Sequence, residues 1–405
     1  MVPSHNSWAK LGEALCIAGA AAILLGSGPS SGSVRAGLLL GVAGILCTWS
    51  TARHLPGIGI ALALVAWTLG SIAWLHANVP TAEVSSPLIL LIPCAVYIGI
   101  IAWRSLVAGL WLDRTALLML VATLGLMAVQ LAVGWNRDDG TRWHVDPAGQ
   151  RWGKATGCFH NHIEAGLLLS SLSFLALTPR GRGAVGRIGS WILPVLGFVG
   201  VVFTSSRTTF AAFGAGVFTF YGIRSWRTFG IICVLLASLL GVHYVHQRIT
   251  RPEVITNSLK FQDGRWPLWT TELDMIRQAP WFGAGGAKQF KAISKEQFPV
   301  SCPGQNPEFP EGIPNAHNAF LGYASYFGVP ALGLWLIWLG VLAVALVRRL
   351  ALDRENAYAG LALLATFLVG GMGDMLPISL GATAATYLLL GSCLARRDQP
   401  PSTLR

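Results

Sequence analysis

The stretch GVPALGLWLIWLGVLAVALV, residues 328–347, carries no charge and is followed at once by Arg348-Arg349. Twenty such residues make a helix about 30 Å long, the thickness of a bilayer's hydrocarbon core. Comparable apolar runs recur near 9–28, 35–51, 57–76, 88–103, 115–135, 162–178, 190–206, 208–222, 229–245, 356–373 and 378–394. The run at 208–222 is short for a span. Composition agrees with a membrane chain: 12% of the 405 residues are charged, about half the usual share for a soluble domain. The expectation is an all-α polytopic membrane protein of about 12 transmembrane helices, with residues 1–405 forming a single integral membrane domain. The first run starts near Leu11 without a basic leader, so no cleavable signal is expected.

Short loops between the runs sort by charge. Arg53, Arg104 with Arg114, Arg180 with Arg182 and Arg187, Arg224 with Arg227, Arg348 with Arg349 and Arg354, and Arg396 with Arg397 all fall on one face. The positive-inside rule makes that face, and with it both termini, cytoplasmic. The net charge of +11 therefore reports topology, and no nucleic-acid partner is expected. Most of the sixteen tryptophans lie near run ends, where interfacial anchors sit.

Two longer segments then lie outside, one from about Trp135 to Asn161 and a larger one over 246–316, between helices 9 and 10. The larger loop is partly helical by pattern. Trp266, Trp269, Leu273 and Ile276 make an apolar stripe at helical spacing, and Pro267 suits a first turn that Asp263 or Gly264 could begin. Pro280 and Gly283-Ala284-Gly285-Gly286 stop it. Cys158 and Cys302 both fall in outer segments, where an oxidising compartment would permit a disulfide. The remaining cysteines, in or near the runs, read as small apolar residues.

Four clusters could carry chemistry. Ser205-Ser206-Arg207-Thr208 forms a tight turn between two runs, where an arginine is costly unless it meets water or an anion. The bland reading is a guanidinium snorkelling to the interface. Arg265 stands at the loop helix N-terminus, whose free N–H groups favour a phosphate; a solvent-exposed arginine would fit equally well. In Pro314-Asn315-Ala316-His317-Asn318, Asn315 could cap the next helix and place His317 in its first turn, where a neutral imidazole could accept a proton. A lone histidine at a span end is more often structural. His160-Asn161-His162-Ile163-Glu164 lacks a third ligand at suitable spacing, so no metal is expected there. Asp374 could pair with one of the arginines. There is no Walker motif for ATP chemistry, no acidic pair in the first outer loop at 27–34, and mid-span acids are scarce.

Taken in order, Ser206-Arg207, Arg265-Trp266 running to Pro280-Trp281-Phe282-Gly283-Ala284-Gly285, and Ala316-His317-Asn318 resemble the O-antigen ligase family over roughly residues 160–345. Ala331 stands where that family often completes Gly-x-x-Gly, and Ala211 where a leucine often follows the first arginine. The resemblance implies a Gram-negative inner-membrane enzyme with a periplasmic active site. Its donor would be undecaprenyl-pyrophosphate-linked O-antigen, its acceptor lipid A–core, with membrane lipids as the surrounding partners and no cofactor. Arg207 and Arg265 would bind the pyrophosphate and His317 would act as catalytic base. Further candidate substrate contacts are Arg142, His160, Asn161, His162, Trp266 and Asn318. Related polymerases and protein O-glycosylating ligases share the pattern, and the compact chain favours the lipopolysaccharide ligase. A donor-to-donor polymerase and a lipid-linked glycan flippase are the alternatives.

Overall fold

The computed structural model describes residues 5–27, 31–78, 91–133, 144–145, 151–152, 155–156, 162–176, 184–204, 206–222, 265–285, 290, 317–373 and 380–395, with single residues between 225 and 234. Its helices are α1 (His5–Gly26), α2 (Ser31–Cys47), α3 (Trp49–Ala52), α4 (Ile58–Asn78), α5 (Cys94–Ala102), α6 (Leu106–Val133), α7 (His162–Ala176), α8 (Ala184–Thr204), α9 (Arg207–Val217), α10 (Arg265–Gln278), α11 (Ala319–Phe327), α12 (Val329–Arg349), α13 (Arg354–Gly371) and α14 (Leu380–Leu394). Among the described residues, four helices are long and apolar enough to cross a membrane: Ser7–Gly26, Ile58–Asn78, Val107–Ala132 and Val329–Arg349. Apolar but shorter are Gly32–Cys47, Pro194–Thr204 and Leu380–Leu394. The expected ninth span at 229–245 lies outside the described residues except at isolated positions. The fold also departs from all-α at one place: β1 (His144–Val145) and β2 (Arg151–Trp152) form a small antiparallel hairpin in the first long segment.

Close helix packing rests on small residues, as expected where lipid removes the hydrophobic drive between helices. Gly12, Gly19 and Gly26 recur every seven residues along α1 and meet the backbone or small side chains of α2 at Gly44, Gly37 and Ser33. A β-carbon on Gly19 would stand 2.6 Å from the Gly37 carbonyl oxygen, so larger residues would force the pair apart. Two buried indoles in the core are paired. Trp335 Nε1 donates to the Tyr387 hydroxyl at 2.8 Å and Trp338 Nε1 to the Tyr97 hydroxyl at 2.9 Å. These bonds tie α12 to α14 and α5 with no unsatisfied indole.

Helix directions define two ends of the bundle. At one, Arg349 closes α12 and its guanidinium donates to the Leu394 and Ala395 carbonyls at the C-terminus of α14. A cation there satisfies orphan carbonyls and complements the helix dipole. The same arginine reaches Asp353, which caps α13 by accepting from the Asn356 amide. The other end gathers the C-terminus of α13 and the N-termini of α7, α9 and α11, and it carries the site.

The short run at 208–222 forms α9 and then a π-helical turn, Phe218–Gly222. It packs antiparallel along α13. Gly373 stands against Thr208, Gly216 against Thr366, and the Phe220 ring lies 6.3 Å from Tyr358, one turn into α13. The segment thus follows α13 for nearly its whole length, and Arg207 sits beside the C-terminal end of α13.

Candidate functional site

Arg207 is the first residue of α9. Ser206, extended at φ −102°, caps that helix by accepting from the Thr209 amide, and Thr209 Oγ1 donates back to the Ser206 carbonyl at 2.8 Å. Thr209 also shares a 3.0 Å hydroxyl contact with Thr204, the last residue of α8. Two buried threonines and a buried serine therefore lock the turn, while the arginine is left exposed beside the free N–H groups of a helix start. An exposed guanidinium above a positive helix end is a combination suited to an anion.

His317 adopts φ +51°, unlike every other described residue apart from glycines. A left-handed histidine is uncommon and costs about 1–3 kcal/mol that the surroundings must hold. The sequence expectation for its helix needs correction. The cap is Asn318, not Asn315: its Oδ1 accepts from the Phe320 and Leu321 amides at 3.0 and 3.1 Å, and α11 begins at Ala319. His317 is accordingly half-buried just ahead of the cap, outside the first turn. The cap also occupies the Asn318 carbonyl, which leaves its Nδ2 as the atom available to a substrate.

The turn that ends α13 brings these two positions together. A β-carbon built on Gly373 would stand 2.5 Å from Thr208 Oγ1, and one on Gly371 3.2 Å from the Ala319 side chain. Arg207 adjoins Thr208, and His317 stands two residues before Ala319; both contact residues meet this single turn. The N-terminus of α7 joins them, because a β-carbon built on Gly166 would stand 2.7 Å from the Thr209 side chain. His162 opens α7 and Glu164 lies in its first turn. At the same end, Ala155 donates its amide to the Phe203 carbonyl, and Gln130 accepts from the Thr156 amide. This ties the first long segment to the tops of α6 and α8.

Arg265 is the first residue of α10, and Pro267 falls in the first turn as the pattern predicts. The apolar stripe expected at 266, 269, 273 and 276 is displaced. The buried positions are Leu268, Thr271, Glu272 and Met275, while Leu273 is exposed. The reason is tertiary: α10 turns this face to α11 and to Phe290, with which Leu268 and Met275 form a small separate core. Glu272 is fully buried on that face, and position 265 lies two turns earlier on the same face.

The motif Pro280–Gly285, expected only to stop the helix, has a second task. Val329 donates to the Pro280 carbonyl and Ala284 to the Ser325 carbonyl, both at 2.8 Å. Gly283 (φ +79°) and Gly328 (φ +89°) interlock: a β-carbon on the first would run into the Tyr326 carbonyl and on the second into the Trp281 carbonyl. Only glycine satisfies both the dihedral and the space. The Phe282 ring stacks on Trp67 at 5.5 Å and Trp74 at 5.4 Å, while Trp67 Nε1 and Ser71 Oγ donate to the Phe327 carbonyl. Helices α10 and α11 are thereby joined at their C-terminal ends and packed side by side, so their N-termini, Arg265 and Asn318, are directed the same way.

Tyr326 lies in this interface, 2% exposed, and its hydroxyl has no hydrogen-bond partner among the described residues. Burial and the negative charge of Glu272 push the phenol above its ordinary range. A buried hydroxyl without a partner costs about 1–3 kcal/mol. Tyr326→Phe should therefore hold or raise the unfolding temperature in detergent; a clear drop would reveal a partner on which the fold depends.

Arg142, His160, Asn161, Cys158, Cys302 and Asp374 lie outside the described residues, as do the side chains of Arg265 and Trp266. Among the described residues, Cys16, Cys47 and Cys94 carry free thiols. Among the described residues no group of three or more His, Cys, Asp or Glu side chains is placed to hold a metal ion.

A family model described as O-antigen ligase matches residues 192–336, a stretch that begins within α8, ends within α12 and includes Arg207, Arg265 and His317. No curated protein matches the chain. Over residues 192–336 the chain is thus similar to the O-antigen ligase family.

Proposed function

We propose that the chain is a metal-independent, inverting glycosyltransferase that moves O-antigen polysaccharide from undecaprenyl pyrophosphate to lipid A–core, at the periplasmic face of the inner membrane. The observation that carries this reading is the turn at Gly371–Gly373, which adjoins both the Arg207 helix start and the His317–Ala319 segment. Residues 246–316 would be the periplasmic loop inserted in a single membrane domain, with its helix α10 presenting Arg265 toward the same side.

The chemistry asks little more than these residues supply. His317 takes the proton of an acceptor hydroxyl, and that oxygen attacks the anomeric carbon from the face opposite the pyrophosphate. The glycosidic C–O bond breaks with its electron pair going to the phosphate oxygen, inverting the anomeric centre and releasing undecaprenyl pyrophosphate. The growing negative charge falls between Arg207 and Arg265, whose planar, permanently charged forks suit phosphate. Apolar helices around the site would hold the polyprenyl tail.

Purified protein incubated with lipid-linked glycan and lipid A–core should yield the joined product. Donor-to-donor chains instead would make it a polymerase, and transport without a new bond a flippase. Arg207→Ala and Arg265→Ala should each weaken donor binding by about 10- to 100-fold, the loss of one charged hydrogen-bonding group. The deficit should narrow at high salt, where the attraction that the variant lacks is screened in the unaltered protein as well. Transfer that is lost in EDTA would overturn the metal-free mechanism.

A further inference from the structure

The Pro280–Gly285 turn presents one side chain that neither the fold nor the proposed chemistry uses. Trp281 is 66% exposed, although the turn that bears it is fixed from several sides. Its own carbonyl abuts Gly328, the preceding carbonyl accepts from Val329, and the following ring is clamped between two tryptophans. A backbone held this firmly does not leave an indole outside by looseness.

The height of the turn follows from α4, a helix of span length. Phe282 stacks between Trp67 and Trp74, and the adjoining Phe327 carbonyl accepts from Ser71. The turn is therefore level with Ser71. Helix α4 continues for seven more residues to Asn78, about 10 Å at 1.5 Å per residue. A second span-length helix, α12, begins at this same level with Val329, itself 47% exposed. Trp74, on the α4 segment running beyond the turn, is 39% exposed. With the start of α12 at the edge of the hydrocarbon core, the last seven residues of α4 run on about 10 Å into the headgroup layer, and the exposed indole lies at the boundary between headgroups and acyl chains. Tryptophan is enriched at that boundary because its ring is apolar and its N–H can still reach polar partners.

We infer that Trp281 is a membrane-interface anchor: it inserts into the headgroup–acyl boundary of the bilayer and tethers the C-terminal end of α10 to the membrane surface. The inference rests on the membrane-spanning helices and not on the transfer reaction.

The test uses the full chain labelled with fluorotryptophan and reconstituted in phospholipid nanodiscs. Fluorine NMR of Trp281→Phe identifies the missing resonance, and Trp281→Tyr serves the same purpose if the phenylalanine variant does not fold. Two relaxation agents are compared, a phospholipid spin-labelled just below its headgroup and a water-soluble gadolinium chelate. The Trp281 resonance should be lost with the labelled lipid and persist with the chelate. Loss with the chelate alone would mean that the indole faces water. Persistence with both would mean that protein, such as a second copy of the chain, covers it. Either outcome overturns the anchor and leaves the transferase reading untouched.

Discussion

Replacing His317 by alanine should lower glycan transfer by about 10²- to 10⁴-fold, the usual contribution of a positioned general base. Donor binding should persist, because the charge that would hold the pyrophosphate belongs to Arg207 and Arg265. A binding assay with lipid-linked donor and a single-turnover transfer assay separate the two effects. Near-normal transfer by His317→Ala would remove the histidine from the mechanism. The position adds a second constraint, since His317 occupies φ +51° directly ahead of the Asn318 cap. Part of any loss could come from a displaced helix start rather than a missing base. Asn318→Ala serves as the control: it removes the cap, worth about 1 kcal/mol, and keeps the imidazole. If His317 acts as a base, His317→Ala should be far the more damaging in rate per folded molecule.

Gly283→Ala should be the most disruptive single change outside the candidate site. Its β-carbon would enter the Tyr326 carbonyl, and φ +79° is itself unfavourable for alanine. Strain and overpacking together cost about 3 kcal/mol or more. The damage should be directed. The Val329–Pro280 and Ala284–Ser325 hydrogen bonds and the Phe282 stack would separate, so α10 would lose its registration on α11. The bundle core of α7, α9 and α13 contains none of these contacts. Transfer and donor affinity should therefore collapse together while most of the helical circular dichroism remains. Limited proteolysis within 265–285 offers a direct readout. A variant with normal transfer would mean that this junction does not set the site.

The class of fold is legible in the sequence, because that information is local. Twenty apolar residues ending in Arg348-Arg349 specify a helix of bilayer length whatever surrounds it. Prolines and glycines likewise fixed where α10 ends, and the ordered motifs carry the family resemblance without any geometry. Helix caps and buried faces were less legible. Asn315 and Asn318 are chemically equivalent caps three residues apart, and only the path of the chain into α11 chose between them. The stripe on α10 was misplaced because tryptophans dominate the apolar count, whereas burial was decided by the neighbour, which covers Glu272 and leaves Leu273 out.

What tertiary structure alone decided is the meeting of distant positions. Gly371 and Gly373 carry no chemistry and no periodic signal, yet their lack of side chains lets α9 and α11 approach one turn of α13 from two sides. The same holds for Gly283 and Gly328, whose positive φ and interlocked backbones bind a loop helix to a span. A glycine's importance lies in what comes close to it. Apolar patterning can say that a helix forms; which helices touch depends on where backbones can pass, and that is a property of the folded chain.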